Sequence, residues 1–412
     1  MNILFLTMSS GFTNIEARGI YTDLMRKFRD EGHELYIIHP NERRNGRPTE
    51  VKTEGRIHCL GVRTLNVTKT NVVEKGIGQL MLESQFKRAL KKNFGNVKFD
   101  IILYSTPPIT FNKVIKYAKK TSGGKAMTYL LLKDIFPQNA VDMGMLSKAG
   151  VKSLLYKMFR RKEEDLYRIS DYIGCMSPAN VSYVLKHNPS VSVDKVEIAP
   201  NSVDLPPDEP INEEESSAIL TKYGLPTNKP IFVYGGNLGI PQGIPFLIDC
   251  LEANANRNDC HFVVVGSGTY YQCLAEWYNE RKPKAVTIMK GLPKADYDKL
   301  VRACQVGLIF LDYRFTIPNY PSRLLSYLEN KMPVIACTDP NCDAGAIAEE
   351  NGFGMYAPSN DVKAFTAAVD RMLSADIKVM GSKGYDFMKA NYLVEHTYNA
   401  VMKHTNNCSH QG

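Results

Sequence analysis

Short apolar runs alternate with longer amphipathic stretches along this chain, and the alternation occurs twice. In the first half Asn2–Thr7, Glu34–Ile38, Asp100–Tyr104, Met127–Leu132, Tyr172–Met176 and Lys195–Ile198 read as strands, with helical patterns such as Ile15–Glu31 and Val151–Ile169 between them. In the second half Ile231–Tyr234, Phe262–Val265, Val286–Met289, Val306–Phe310 and Val334–Ala336 alternate with helices, and Phe353–Tyr356 ends the series. Strand and helix taken in turn imply parallel sheets joined by right-handed crossovers, so the chain predicts two doubly wound α/β domains. At 412 residues it exceeds what one core usually serves. The segment Asp204–Ser217 is rich in proline and acid, has little to bury, and reads as the linker. The expected domains are therefore residues 1–203 and 204–390, with 391–412 packed back on the first. A helical period over Tyr385–Lys403 precedes the C-terminus.

Composition removes several alternatives. The nine cysteines form no Cys-x-x-Cys pair, which argues against a zinc module or disulfide framework and fits a reducing cytosol. No apolar run approaches the ~20 residues of a membrane-spanning helix, and Met1–Met8 lacks the basic flank of a signal peptide. Charge is unevenly spread. Residues 1–200 carry 32 Lys/Arg against 19 Asp/Glu, whereas residues 201–412 carry 19 against 24. The surplus gathers in Phe86–Lys92, Lys113–Lys125 and Leu154–Lys162. A half this basic points to an acidic partner. No nucleic-acid motif accompanies it, so the expected partner is an anionic membrane surface rather than nucleic acid.

Ligands of open α/β sheets bind outside the carboxyl ends of the strands, and the glycines gather there. Gly235-Gly-Asn-Leu-Gly239 follows one strand and leads through Pro241-Gln-Gly243 into a helix; Gly266-Ser-Gly268 follows the next; Met8-Ser-Ser-Gly11 follows the first. Glycine lets backbone approach a phosphate or sugar, and a following helix presents free amides. The stretch Ile317–Ile335 adds a helix start at Pro321-Ser322, where proline loses no needed donor and serine can cap. Arg323 then falls in the first turn, where the dipole disfavours a cation by ~0.3–1 kcal/mol unless an anion shares the site. There is no Gly-x-Gly-x-x-Gly fingerprint, no Walker loop and no His-x-x-x-His. Asp296-Tyr-Asp298 matches an Asp-x-Asp metal motif, but it opens the helical stretch Ala295–Ala303, where acids complement the dipole. No metal is expected.

Together these residues resemble the family 4 retaining glycosyltransferases of the GT-B fold, in the bacterial branch that builds surface polysaccharides. The likeness is strongest at Val233–Gly239, Val265–Gly268, Lys290-Gly-Leu292, Leu311–Thr338 and Glu349–Pro358, with Lys133-Asp-Ile-Phe-Pro-Gln138, Cys175–Asn180 and Ala199-Pro-Asn201 in the first half. The resemblance implies two Rossmann-like domains facing a central cleft, and a sugar moved from a nucleotide-diphosphate donor, uridine being the usual base, with retention and without a metal or other cofactor. It implies an acceptor on the first domain, and the basic charge of that half points to a cytoplasmic protein peripheral on the inner membrane face, with a lipid-diphosphate-linked glycan as acceptor. Carried onto this chain, Gly236, Asn237, Leu238, Gly239 and Gln242 lie under the diphosphate and sugar, with Gly266 and Gly268 beside them. Leu292 offers backbone contacts to the base. Ser322, Arg323, Leu324 and Ser326 belong to the diphosphate and ribose side, and Gly11 gives the donor room. Asp134, on the acceptor side, orients or deprotonates the incoming hydroxyl.

Two departures bear on this. The family's glutamates, eight positions apart, fall at Pro318 and Ser326, with Glu329 one turn beyond, and its basic pair after the glycine loop falls at Ile240 and Gln242. Arg323 is then the one strong cation of this domain on the diphosphate. A non-catalytic GT-B relative serving the same pathway, and a nucleotide-sugar epimerase of similar architecture, stay open on these residues.

Overall fold

The structure, a computed structural model, describes all residues except 10, 11, 13, 68–71, 151, 208–210 and 406–412, and leaves aside the side chains of 72, 73, 75–77 and 80. The chain divides into two compact units, Met1–Asp204 with the segment from Tyr392 onward, and Leu205–Asn391. The first is built on an eight-stranded sheet: β1 (Asn2–Leu6), β2 (Glu34–Glu42), β3 (Glu50–Glu54), β4 (Ile57–Thr64), β5 (Ile101–Ser105), β6 (Met127–Leu132), β7 (Tyr172–Cys175) and β8 (Val196–Ile198). Their order is β3-β4-β2-β1-β5-β6-β7-β8, all parallel except β3, which runs antiparallel to β4 at the edge. The second unit carries β9 (Ile231–Asn237), β10 (His261–Ser267), β11 (Val286–Lys290), β12 (Val306–Phe310), β13 (Val334–Thr338) and β14 (Gly354–Pro358) in the order β11-β10-β9-β12-β13-β14, wholly parallel. The apolar runs explain this. Strands such as β5, β6, β12 and β13 are buried along their whole length, as parallel strands covered by helices on both faces must be.

The hairpin β3–β4 is an addition to the strands read from sequence. β3, Glu-Val-Lys-Thr-Glu, is almost wholly exposed, so it has no apolar face to announce it. Charged residues on such an edge also discourage pairing with another chain. Three helices differ from expectation. The first begins at Ile20, because the Asp23 carboxylate accepts the Gly19 amide at 2.8 Å and fixes the start there. The single helical period read over Tyr385–Lys403 is divided between two helices, Ile377–Asn391 and Val394–Met402, interrupted where Leu393 bridges Val203. Ser322 has helical dihedrals and no side-chain cap, so the helix Arg323–Glu329 starts without the serine cap predicted for it.

The last helix, Val394–Met402, belongs to the first unit. Tyr398 packs on Phe28 with centroids 5.0 Å apart and its hydroxyl meets His33 Nε2 at 3.2 Å. Thr397 donates to the Pro200 carbonyl at 2.9 Å, and Glu197 binds both Lys403 and His404. Among the described residues no helix is long and apolar enough to cross a membrane.

Candidate active site

In the second unit β9 lies beside β12, and counted within the unit the strand order is 3-2-1-4-5-6. Crossovers turn to opposite sides at the 1/4 junction, leaving a crevice outside the carboxyl ends of those two strands. β9 runs three residues past its apolar run, so Gly235, Gly236 and Asn237 pair with Val265, Gly266 and Ser267 of β10. The glycines serve different ends. A side chain at Gly235 would strike the Tyr297 ring, one at Gly266 the Gly236 backbone, and one at Gly268 the Leu238 backbone. These three are required by close packing. Gly236 has φ +127°, and a Cβ on it would stand 3.2 Å from Arg323 Nη2.

The loop beyond is held by side chains of its own. Asn237 Nδ2 donates to Gln242 Oε1 at 2.7 Å, and the Gly239 amide donates to the same oxygen at 3.3 Å. Leu238 is fully buried, its amide on the Ser267 carbonyl and its own carbonyl accepting from the Tyr270 amide. The Asp312 amide donates to the Pro241 carbonyl at 3.0 Å, tying the β9 loop to the β12 loop across the crevice.

Arg323 opens the helix that follows β12 and reaches back to β9. Its guanidinium lies over the Tyr234 ring, with Cζ 4.3 Å from the centroid. Tyr297 and Tyr327 complete an aromatic surround, and the buried Tyr327 hydroxyl lies 3.1 Å from the Val233 carbonyl and 3.2 Å from that of Leu308. No carboxylate among the described residues neutralises the guanidinium, and its Nη1 is buried with no hydrogen-bond acceptor. A buried donor of this kind calls for an acceptor, which an anion over Gly236 would supply. None of these tyrosines belongs to the sequence-derived site. Tyr297 stands between the two aspartates of Asp296-Tyr-Asp298, and in sequence only the acids of that motif carry a signal.

The other predicted donor residues fall as follows. Leu324 is buried and its amide donates to the Pro321 carbonyl at 3.2 Å, so it has no amide to offer a phosphate. Ser326 is half-buried on the same helix, its carbonyl accepting from Asn330 Nδ2. Leu292 follows β11, half-buried, while Gly291 faces Ser267. Gly11 lies outside the described residues. Asp298 binds Lys294 at 2.6 Å and Asp296 faces Lys222 at 3.7 Å, so both acids of the metal-like motif have cationic partners.

Asp134 belongs to the first unit, just beyond β6. Thr106, at the end of the neighbouring β5, accepts the amides of Lys133 and Asp134 at 3.0 and 3.2 Å. Asn139 Nδ2 donates to both Asp134 oxygens, at 2.8 and 2.9 Å. Burial pushes the Asp134 carboxyl up to about 6 despite these bonds. The adjacent Lys133 amine donates to the Ala199 carbonyl at 2.9 Å and is depressed by burial to about 7. Asn139 and Thr106 are absent from the sequence-derived set, although Asn139 directly follows the Lys133–Gln138 loop, in the short helix Gln138–Asp142.

Two doubly wound units, the second with a glycine-lined crevice and a cation at its switch point, are those of the GT-B fold. Solved structures of that fold match the whole chain. Sucrose-phosphate synthase from Thermosynechococcus elongatus aligns with TM-score 0.74 at 14% identity, covering 99% of this chain and 100% of its own. HepE of Anabaena, solved in complex with UDP, aligns with TM-score 0.65 at 14% identity, covering 98% and 100%. Residues 215–385 match the model of the family described as glycosyl transferases group 1. A probable glycosyltransferase of Pseudomonas aeruginosa, WbjE, is 22% identical over 326 residues, 79% of this chain and 78% of that protein. These matches support glycosyltransferase function.

Proposed function

We propose that the protein is a retaining, metal-independent glycosyltransferase that moves a sugar from a nucleotide-diphosphate donor, UDP-linked, to a lipid-diphosphate-linked glycan in surface-polysaccharide synthesis. The observation that carries the donor half is Arg323: a guanidinium on an aromatic floor, beneath a left-handed glycine, with one buried nitrogen lacking an acceptor among the described residues. Preorganised donors of this kind stabilise a leaving diphosphate in a water-poor crevice and contribute ~2.7–4 kcal/mol each to transition-state binding. The sugar's bond to the β-phosphate breaks as the acceptor oxygen attacks the same face. The acceptor proton goes to Asp134 or to a leaving phosphate oxygen. The lysines facing Asp296 and Asp298 support the metal-independent reading; turnover unchanged by a chelator is the expected result.

The test is thermal unfolding against a panel of nucleoside diphosphates, UDP first because HepE was solved with it. A ligand at a hundredfold excess over Kd adds ~2.7 kcal/mol of stability. A shift with UDP that Arg323→Ala abolishes supports the donor site. One observation favours a second reading: Pro318 and Ser326 stand where the resembled family has glutamates. A non-catalytic relative would give UDP binding without turnover, or no shift with any nucleotide.

The acceptor's lipid places the protein on an anionic membrane. On the first unit the helix Asn112–Thr121 packs against both Val72–Phe94 and Lys152–Ile169, and Lys87, Arg88, Lys91, Lys116, Lys157 and Arg161 are exposed on these three helices. Leu154 and Leu155, 75% and 43% exposed, add an apolar element beside the charge. Binding to phosphatidylglycerol vesicles, released by ~0.3 M salt and weakened in Leu154→Ser, is expected; salt-independent binding would remove the electrostatic part.

A further inference from the structure

We propose that Asn139 is a positioning residue, whose side-chain amide clamps both oxygens of Asp134 and holds that carboxylate fixed and ionised for the transfer step. This rests on the reading of Asp134 as the group that takes the acceptor's proton. One nitrogen reaches both carboxylate oxygens, at 2.8 and 2.9 Å, so an amide N–H is shared between the two. Only this orientation of the amide is compatible with the carboxylate, because the flipped one would set acceptor against acceptor. Asn139 holds it at some cost to itself: its own Oδ1 is buried with no partner among the described residues. The backbone bearing Asp134 is pinned as well, through Thr106 Oγ1.

The choice of a neutral clamp has a chemical consequence. No Lys, Arg or His pairs with Asp134 among the described residues. The neighbouring Lys133 amine is turned onto the Ala199 carbonyl, and the Tyr21 phenol, from the helix Ile20–Asp30, is the other titratable group facing the carboxyl. A cationic partner would hold the carboxyl far below neutrality and make it a weak base. An amide stabilises the charge without that penalty, leaving a carboxylate that is ionised at neutral pH and still basic enough to accept a proton.

The test uses the whole 412-residue chain labelled with 13C at the aspartate carboxyls, the Asp134 resonance being assigned by its loss in Asp134→Asn. In the wild type it is expected to titrate near 6; in Asn139→Ala, with the hydrogen bond that favours the charged form removed, the midpoint is expected to move upward. Asn139→Asp, which sets a second carboxyl against the first, should raise it further, and serves if the alanine variant does not fold. An unchanged titration in both variants overturns the clamp. A second arm follows UDP release from UDP-glucose, UDP-galactose and UDP-N-acetylglucosamine against pH, with water taking the sugar in place of the glycan acceptor. An acid limb that moves upward with the resonance supports the positioning role. A resonance that moves while the limb stays, or no release from any donor, overturns the reading of Asp134 and leaves the clamp itself standing, so the two fail separately.

Discussion

The guanidinium carbon of Arg323 lies 4.3 Å from the centre of the Tyr234 ring, joining the start of the helix after β12 to the end of β9. The contact orients the arginine without neutralising it. A carboxylate partner would have consumed the charge, whereas a ring face leaves the hydrogen-bonding edge for an anion.

Arg323→Ala should therefore weaken UDP binding by ~1.5–3 kcal/mol, the worth of a charged hydrogen bond, or roughly 10- to 150-fold in Kd. Arg323→Lys keeps the charge but loses the planar fork, and should recover only part of the affinity. Isothermal titration with UDP reads both. Equal affinity in wild type and Arg323→Ala would remove the arginine from the donor site.

Gly236→Ala tests the backbone on the other side of the same contact. Its φ of +127° strains any L side chain, and the new methyl would press on Arg323 Nη2 at 3.2 Å. A loss of ~1–3 kcal/mol in stability is expected, together with weaker UDP binding. Gly124, also left-handed at φ +79° but with no described atom within 4 Å of an added Cβ, gives the control: Gly124→Ala should lower stability and leave UDP affinity unchanged.

Asp339 lies just beyond β13, fully buried, with one oxygen accepting the Asn341 and Cys342 amides and the other without a partner among the described residues. Burial pushes its carboxyl up to about 6. An acid whose folded value is raised contributes stability below its unfolded value, near 3.9, and that contribution is lost as pH rises through about 6. Between about pH 4 and pH 8 the wild type should therefore lose ~2–3 kcal/mol relative to Asp339→Asn, which has no such charge to bury. Urea unfolding at the two pH values measures the difference; a gap independent of pH would mean the carboxyl is solvated.

Much of this protein is legible in its sequence, for a local reason. Parallel strands covered on both faces need continuous apolar runs, so the strands of the second unit stand out at Ile231–Tyr234 or Val306–Phe310 without any knowledge of their neighbours. The glycine turns and the placement of Arg323 at a helix start are equally local. The β3–β4 hairpin shows the limit: β3 buries almost nothing, and a strand that buries nothing leaves no periodic signature.

The surroundings of the candidate site residues were decided by tertiary structure alone. Tyr234, Tyr297 and Arg323 come from β9, from the helix Lys294–Arg302 and from the helix Arg323–Glu329, and only the strand order that sets β9 against β12 brings them together. Four glycines that look alike in sequence likewise part company: three are required by close packing, and Gly236 alone is left-handed beneath the arginine. Asn139 is five residues from Asp134, yet its amide has meaning only once the turn is folded and both carboxylate oxygens are within reach. Sequence determines which residues are apolar, which can turn and which carry charge. What a charge then faces depends on contacts between distant segments, whose formation rests on the burial of the whole core rather than on any one stretch of chain.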